Sequence, residues 1–298
     1  MHPFQNPMRP FPGLENFART VQLPSSQCTV HIYETGEKSQ PPMILVHGLG
    51  DDADTWAHLI PTLSQTHRVI ALDLPGFGRS EKPNRAYTLS FFADAVLELM
   101  DALQISQAIL VGHSLGGIIC HTIALNHPER VSKLILIGGS LVTRSQKLNL
   151  VTIMFLVPGL GEWVYNSLRR DPQAAYNSLA PYYADMQHLP ETDRAFLFQR
   201  VNERVWSDEQ RRAFLSTFRN LASAITQQRD LPNRLAQMKI ATLAIWGEQD
   251  QINSPDNGRA LVELQANTQL VVVPKAGHNV QQENPQAVLA AIEKITSP

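Results

Sequence analysis

The stretch Gly112-His113-Ser114-Leu115-Gly116 carries a serine between two glycines, and the sequence on either side of it predicts the fold. Residues 108–111 before it are apolar and partly β-branched, which is typical of a buried parallel strand. Residues 115–126 have apolar side chains at helical spacing and no proline, which predicts a helix. The backbone is crowded at such a turn, and the glycines leave the room that a side chain would fill. Ser114 is therefore predicted to be a nucleophile on a strained strand-to-helix turn.

Short apolar segments alternate with amphipathic ones along much of the chain. A hairpin is predicted over 19–35, and further strands are predicted at residues 43–46, 69–72, 108–111, 134–137, 242–245 and 270–273. Helices are predicted at residues 55–63, 89–103, 115–126, 258–264 and 285–295. This alternation is typical of the α/β class, with a mostly parallel sheet covered by helices on both faces.

The alternation stops between residues 140 and 237, where helical spacing continues without a convincing buried strand. We interpret 140–237 as a helical cap over the carboxyl-terminal edge of the sheet, where ligands of open α/β sheets bind. The core then comprises 19–139 and 238–298, and 1–18 is a flexible arm or a loosely packed lead-in.

Composition limits the expected partners and location. The 298 residues are 43% hydrophobic and 17% charged, with a formal net charge of -2 and no basic patch, so nucleic acid is not an expected partner. Residues 1–12 lack the apolar core of a secretory signal, and no run has the ~18 apolar residues that span a bilayer. The two cysteines, Cys28 and Cys120, suggest neither a disulfide framework nor a zinc site. We expect a cytoplasmic protein without stable membrane insertion.

A serine nucleophile needs a base, and the base needs an acid that orients it. His278 follows the last predicted strand in a loop before the final helix, which would bring it over the sheet near Ser114. The loop after residues 242–245 offers two acids, Asp250 and Glu248. We favour Asp250, because a residue farther into the loop can turn back toward the histidine; Glu248 is the alternative.

An attacked carbonyl becomes an oxyanion, which needs preorganised hydrogen-bond donors. One predicted donor is the backbone N–H of Leu115, at the start of the helix after Ser114. The second is the N–H of Leu49, in the glycine-containing loop His47-Gly48-Leu49-Gly50. We interpret His47 as a structural residue that fixes this loop by hydrogen bonds.

Five motifs, taken in order, resemble those of the α/β-hydrolase superfamily. They are His47-Gly48-Leu49-Gly50, Asp73-Leu74-Pro75-Gly76-Phe77-Gly78-Arg79-Ser80, Gly112-His113-Ser114-Leu115-Gly116-Gly117, Gly247-Glu248-Gln249-Asp250 and Gly277-His278. The resemblance covers residues 20–138 and 238–298 and implies an eight-stranded-type sheet, a cap and a serine–histidine–aspartate triad. Serine at position 114 argues against the branches that have aspartate there, the haloalkane dehalogenases and epoxide hydrolases. Carboxylesterases, monoacylglycerol lipase-like enzymes, thioesterases, meta-cleavage C–C hydrolases and cofactor-free haloperoxidases remain.

The other acidic and glycine-rich segments do not predict a cofactor. The acids at 51, 52 and 54 fit helix capping and N-terminal charge, so no metal site is expected. Gly76 and Gly78 do not open a helix with a phosphate-binding pattern, so no nucleotide is expected either. The loop from Asp73 to Ser80 has no catalytic role that its residues predict.

The predicted cap gives one indication of the substrate. Residues 148–160 are strongly apolar and lead to Trp163 and Tyr165. Together with His113 and Phe155, these two side chains are predicted to line an apolar pocket; packing onto the sheet and contact with a membrane surface are the alternatives. We therefore predict a serine hydrolase that cleaves a small-to-medium lipophilic carboxylic ester through an acyl-enzyme. A C–C bond hydrolase and a non-catalytic ligand-binding protein are the alternative functions.

Overall fold

The structure, a computed structural model, describes residues 2–144, 150–226 and 230–297. The described strands are β1 (Ala18–Leu23), β2 (Cys28–Thr35), β3 (Pro42–Val46), β4 (Arg68–Leu72), β5 (Ala108–His113), β6 (Val131–Ile137), β7 (Thr242–Gly247) and β8 (Thr268–Val273). They form one eight-stranded sheet in the order β1-β2-β4-β3-β5-β6-β7-β8. β2 is antiparallel to both of its neighbours, and all other pairs are parallel. The predicted mostly parallel sheet is confirmed.

Helices cover both faces of this sheet. The described helices are α1 (Ile60–Leu63), α2 (Leu89–Ala102), α3 (Leu115–Asn126), α4 (Leu150–Leu156), α5 (Leu160–Ser167), α6 (Pro172–Asn177), α7 (Glu191–Trp206), α8 (Asp208–Thr226), α9 (Leu231–Ala236), α10 (Pro255–Leu264), α11 (Val280–Glu283) and α12 (Pro285–Thr296). Alternate residues of β3 show the two buried faces. Ile44 and Val46 pack with α2, α3 and α10, whereas Met43 and Leu45 pack with α1 and α12.

Two predicted helices differ from the structure. The single helix predicted over residues 55–63 is wrong: a 3₁₀ turn, Ala53–Trp56, precedes the short helix α1. Pro61 has no N–H, so the hydrogen bond that would continue a helix across this point cannot form. The helix predicted at 258–264 begins earlier, at Pro255, because the Ser254 side chain accepts a hydrogen bond from the Asp256 amide and caps the helix.

Residues 140–237, hereafter the helical segment, contain α4 to α9, and their described part contains no strand. The residues before β1 pack against α7 of this segment. The ring of Phe11 lies 4.8 Å from that of Phe196, and the Arg200 guanidinium donates a hydrogen bond to the Arg9 carbonyl. Across the described residues, no helix is long and apolar enough to span a membrane.

Candidate active site

The parallel strands end together at one edge of the sheet. Val46 at the end of β3 is paired with Gly112 of β5, and Gly247 at the end of β7 is paired with Val273 of β8. The loops that carry Leu49, Ser114, Asp250 and His278 therefore leave the sheet at the same edge. This register brings together the loops of four strands that are far apart in sequence.

Ser114 lies on a strained turn between β5 and α3. Its φ is 53° and its ψ is -115°, a combination that a non-glycine residue rarely adopts. The backbone around it is packed too closely for side chains. A Cβ on Gly112 would lie 2.3 Å from the Gly116 carbonyl oxygen, and one on Gly116 would lie 2.0 Å from that of Val46. Glycine at both positions is therefore a steric requirement of the turn.

His278 and Asp250 form a buried hydrogen-bonded pair. Nδ1 of His278 lies 2.7 Å from Oδ2 of Asp250, and both side chains are excluded from solvent. The other carboxylate oxygen of Asp250 accepts hydrogen bonds from the amides of Ile252 and Asn253, at 2.9 and 2.8 Å. Glu248, the alternative acid, is exposed. Of the two candidate acids, Asp250 is the one placed on the histidine.

The opposite nitrogen of His278, Nε2, is buried and has no hydrogen-bond partner among the described residues. With Nδ1–H donating to the carboxylate, Nε2 carries a lone pair that can accept a proton. Catalytic hydrogen bonds are often long before substrate binds, so a serine hydroxyl close to this nitrogen need not be bonded to it in the free protein.

Two consecutive glycines after β6 bring His278 and Ser114 to the same place. A Cβ on Gly138 would lie 3.2 Å from Nδ1 of His278, and a Cβ on Gly139 would lie 2.6 Å from the Cα of Ser114. The amide of Ser114 also donates to the Ile137 carbonyl at 2.9 Å. The sequence analysis predicted no role for this glycine pair. Glycines directly after a buried strand indicate the close approach of another chain segment, and this pattern in the sequence points to the contact.

His113 supports the histidine loop. Its Nε2–H donates to the His278 carbonyl at 3.1 Å, and the two imidazole rings lie 4.9 Å apart. Burial, followed by the neighbouring His278, lowers the pKa of His113 well below its usual value, so this ring is neutral. The sequence analysis predicts this side chain to line the pocket, and the structure buries it at 3% exposure.

The two predicted oxyanion donors belong to residues next to Ser114. Leu115 is the first residue of α3, so its amide has no carbonyl acceptor within the helix. Leu49 lies in the loop of residues 47–52, hereafter the β3 loop. A Cβ on Gly48 of this loop would lie 3.2 Å from the Cβ of Ser114. His47 anchors the loop as predicted, because its Nε2 accepts a hydrogen bond from the Leu74 amide at 2.8 Å.

Two of the predicted pocket residues belong to an aromatic cluster in the helical segment, composed of Phe155, Tyr165, Phe214 and Phe218. The ring of Phe214 lies 5.5 Å from those of both Phe155 and Tyr165, and the ring of Phe218 lies 6.0 Å from that of Phe155. Phe214 also borders the β3 loop, since a Cβ on Gly50 would lie 3.1 Å from its ring. The cluster therefore places apolar surface beside Leu49.

Trp163 is not part of this cluster, and it is 58% exposed. Trp163 and Tyr165 are two residues apart on a helix with ~100° per residue, so their side chains point to nearly opposite sides. Ile153, Val157 and Leu160 of the same apolar stretch are also exposed. Residues 148 and 149 of the apolar stretch predicted to line the pocket lie outside the described residues.

A buried network of charges joins the helical segment to the core. Arg204 of α7 pairs with Asp51 and Asp52 of the β3 loop, and Arg200, one turn earlier, pairs with Asp52 and Asp54. The sequence analysis predicted helix capping for these acids. Asp52 does accept the Asp54 amide at 3.2 Å, but the ion pairs were not predicted. Their partners lie about 150 residues away, and a single sequence carries no signal for such pairs.

The charges of this network shift the pKa values of its acids in opposite directions. Burial raises the pKa of Asp52, but Arg204 and Arg200 outweigh it and hold that pKa well below its usual value. Burial and the neighbouring Asp52 raise the pKa of Asp54 to about 7. The described residues contain no group of three or more histidine, cysteine, aspartate or glutamate side chains arranged to hold a metal ion.

Comparison with known proteins places this geometry in context. A family model described as alpha/beta hydrolase fold matches residues 41–285. A 2-hydroxymuconate semialdehyde hydrolase from Pseudomonas sp. (strain CF600) is 32% identical over 263 residues, which cover 82% of both proteins. The dihydrolipoyllysine-residue acetyltransferase component of the acetoin cleaving system of Pseudomonas putida is 32% identical over 262 residues, 86% of this chain but 63% of that protein. This chain therefore spans less than two thirds of the acetyltransferase component.

The solved structures include a similar fold. The 2-hydroxy-6-oxo-6-phenylhexa-2,4-dienoate hydrolase from Rhodococcus sp. strain RHA1 superposes with a TM-score of 0.78 at 23% identity, over 93% of this chain and 98% of that one. At this identity the likeness concerns the fold alone.

Proposed function

This chain belongs to the alpha/beta hydrolase family, and on that basis we propose that it is a serine hydrolase that cleaves carboxylic esters through an acyl-enzyme. One observation carries the proposal. Nε2 of His278 is buried without a partner beside the Ser114 turn, while Asp250 holds the opposite nitrogen. A base with one nitrogen oriented and the other free is what activation of a serine requires.

The proposed reaction follows from these positions. Nε2 of His278 takes the proton of the Ser114 hydroxyl as Oγ attacks the ester carbonyl, and it then gives that proton to the leaving alkoxide. A water molecule, deprotonated by the same nitrogen, attacks the resulting acyl-serine. The Ser114 Oγ then leaves as the carboxylic acid forms, and it takes the proton back from Nε2. Asp250 keeps the proton on Nδ1 and stabilises the imidazolium. The amides of Leu49 and Leu115 stabilise the oxyanion formed in each half of the reaction.

The helical segment supports a neutral, lipophilic substrate. As the proposed cap, it places the aromatic cluster beside Leu49, which suits the apolar part of a small-to-medium ester. The two arginines of α7 that reach the core, Arg200 and Arg204, are already paired with buried aspartates. Neither is available to bind a carboxylate of the substrate, so an uncharged ester fits this side of the site better than an anion.

A second candidate is hydrolysis of a C–C bond in a vinylogous 1,5-diketone by the same three residues. The specific observation in its favour is the 32% identity to a 2-hydroxymuconate semialdehyde hydrolase over most of both chains. Such a substrate is anionic, and the pairing of Arg200 and Arg204 argues against it on the side of the site that α7 forms. We therefore rank it below ester hydrolysis.

The test is steady-state hydrolysis of p-nitrophenyl esters from acetate to palmitate, with an ultraviolet assay on a dienoate substrate in parallel. We expect ester turnover with an optimum at intermediate chain length. Ser114→Ala should lower this turnover by at least about 10³-fold without changing the unfolding temperature. Ser140→Ala, a substitution of another serine just after a strand at the same sheet edge, is the matched control.

Each other outcome has a definite meaning. Dienoate turnover without ester turnover, lost in Ser114→Ala, would replace the proposal by the second candidate. Tight binding of a lipophilic ligand by a folded protein with no turnover of either substrate would indicate the non-catalytic alternative. Ester turnover that survives in Ser114→Ala would refute the assigned nucleophile.

A further inference from the structure

The β3 loop is contacted from two different parts of the molecule. On the core side, His47 accepts a hydrogen bond from the Leu74 amide. On the other side, Arg204 donates hydrogen bonds to both acids that follow the loop's glycines. Its Nη2 donates to Oδ1 of Asp51 and, at 2.9 Å, to Oδ2 of Asp52. The loop that carries Leu49 is thus anchored at its first end to the sheet and at its second end to helix α7.

The Gly48 carbonyl and the Leu49 N–H belong to one planar peptide group, so whatever holds the carbonyl also sets the direction of the N–H. This carbonyl accepts a hydrogen bond from Nδ1–H of His47 at 2.7 Å and one from the Asp51 amide at 3.3 Å, which is long for a turn hydrogen bond. Gly50 has a φ of +75°, and a glycine linker of this kind adopts many other conformations at low cost. The direction of the Leu49 N–H therefore depends on what holds the two ends.

The guanidinium of Arg204, which anchors the second end of the loop, is suited to fixing the loop's conformation. A guanidinium is a planar fork whose donors can bond two carboxylates at once and fix their relative positions. Arg204 does this for two consecutive residues, and its side chain is largely buried, so water does not compete for these bonds. Arg200 pairs with Asp54 and Asp52 but does not reach Asp51, so it secures the same helix without holding the residue next to Gly50.

We propose that Arg204 is a positioning residue for the oxyanion site: through Asp51 and Asp52 it holds the Leu49 amide in the direction that the oxyanion needs. This inference rests on the proposed function, because it takes Leu49 as a donor. It implies that the helical segment contributes to the chemistry as well as to substrate binding, since the oxyanion site is complete only while α7 is seated on the core.

The experiment uses a fluorophosphonate, in which the Oγ of an activated serine forms a bond to phosphorus and fluoride leaves. In the transition state of this reaction the phosphonyl oxygen gains negative charge at the same donors. The second-order rate of Ser114 labelling is measured by mass spectrometry, together with kcat and KM for the best p-nitrophenyl ester and with the unfolding temperature. The variants are Arg204→Met, Arg204→Lys and the matched control Arg200→Met, which removes a buried ion pair from the same helix.

Removing an oxyanion donor lowers kcat by about 10²–10³-fold, and a donor that is displaced should lose part of this. We expect Arg204→Met to lower kcat and the labelling rate about tenfold to a hundredfold, with KM changed less than about twofold. Arg204→Lys should recover part of the loss. Arg200→Met should lower the unfolding temperature at least as much but change both rates less than about threefold. If Arg204→Met does not fold, Asp51→Asn, a partly accessible site, should slow both rates in the same direction.

Three results would overturn the inference: Arg204→Met labelled at the wild-type rate, Arg200→Met slowed as much as Arg204→Met, or a loss confined to KM. The failure of the proposed function is recognised separately. A wild-type protein that is labelled at Ser114 but hydrolyses no ester would refute ester hydrolysis, and the labelling rates of the variants would still decide the role of Arg204. A wild-type protein that is not labelled at Ser114 would refute both.

Discussion

The edge of the sheet and the interface between core and helical segment are organised by different forces. At the edge, Ser114, Asp250 and His278 lie within a few residues of a strand end, and close backbone contacts determine where each one points. At the interface, buried arginines of α7 form ion pairs with aspartates of the core. Arg204 and Asp52, one such pair, are 152 residues apart in sequence. The proposed chemistry thus depends on local turn geometry, whereas the attachment of the helical segment depends on charge.

The interface network continues into the motif between residues 73 and 80, for which the sequence predicted no role. Arg79 bonds both carboxylate oxygens of Asp73 and reaches Asp54 at 3.1 Å. Asp73 also accepts the Ala53 amide at 2.7 Å. Burial raises the pKa of Asp73, but Arg79 outweighs it and lowers that pKa to about 2, so the carboxylate stays charged. Asp73 and Arg79 of this motif therefore contact, from the core side, the segment of residues 53 and 54 that Arg200 contacts from the helical segment.

The largest effect that we expect tests the sheet edge through its acid. Asp250→Asn should lower kcat by about 10³–10⁴-fold, because asparagine stabilises the wrong tautomer of His278 and no imidazolium. The matched control is Glu248→Gln in the same loop, which should leave kcat unchanged since Glu248 is exposed. Equal losses in the two variants, in proteins with unchanged unfolding temperature, would show that the hydrogen bond to His278 is not what organises this edge.

A smaller effect, on stability, tests whether close backbone packing holds the same edge. Gly116→Ala should lower the free energy of unfolding by about 3 kcal/mol or more, because its Cβ would lie 2.0 Å from the Val46 carbonyl oxygen and backbone must move. Ala124→Gly, a buried position in the same helix, should cost only about 1 kcal/mol. Urea unfolding monitored by circular dichroism gives both values. A cost for Gly116→Ala no larger than that of the control would remove the steric argument for this turn.

The difference between the two regions also explains how much the sequence predicted. The eight strands and the loops of Ser114, Asp250 and His278 follow from short-range patterns, since each depends on residues within one turn or strand. The prediction of one helix over 55–63 is wrong because Pro61 lacks the N–H that a continuous helix needs there, despite the helical spacing of the apolar residues. Trp163 lies outside the aromatic cluster, a separation from Tyr165 that composition does not predict, because composition does not say which side of a short helix faces inward. The pairing of Arg204 with the β3 loop depends on how the helical segment docks, and no local pattern encodes that.

The smallest effect that we expect is a pH dependence of stability, which tests the charged interface. Asp54 and Asp52 should change the free energy of unfolding with pH in opposite directions. Burial and the charge of Asp52 raise the pKa of Asp54 from 3.8 to about 7, so the folded protein binds this proton more tightly than the unfolded chain. The stabilisation that the protonated form provides is then present below about pH 4 and lost as the pH rises toward 7. Asp54→Asn does not titrate, so its stability relative to wild type should increase as the pH rises across that interval, whatever constant offset the substitution adds.

For Asp52 the sign is reversed. Arg204 and Arg200 overcome the burial penalty and hold its pKa well below 3.8, so its stabilisation is present above pH 4 and lost only in acid. Asp52→Asn should therefore cost most at neutral pH, and its deficit should shrink as the pH falls below 4. Urea unfolding of the three proteins from pH 3 to pH 8 measures both differences. A carboxylate whose pKa is the same in the folded and unfolded protein adds no pH dependence to the free energy of unfolding. If neither variant's difference from wild type changes with pH, packing and not charge holds the helical segment on the core.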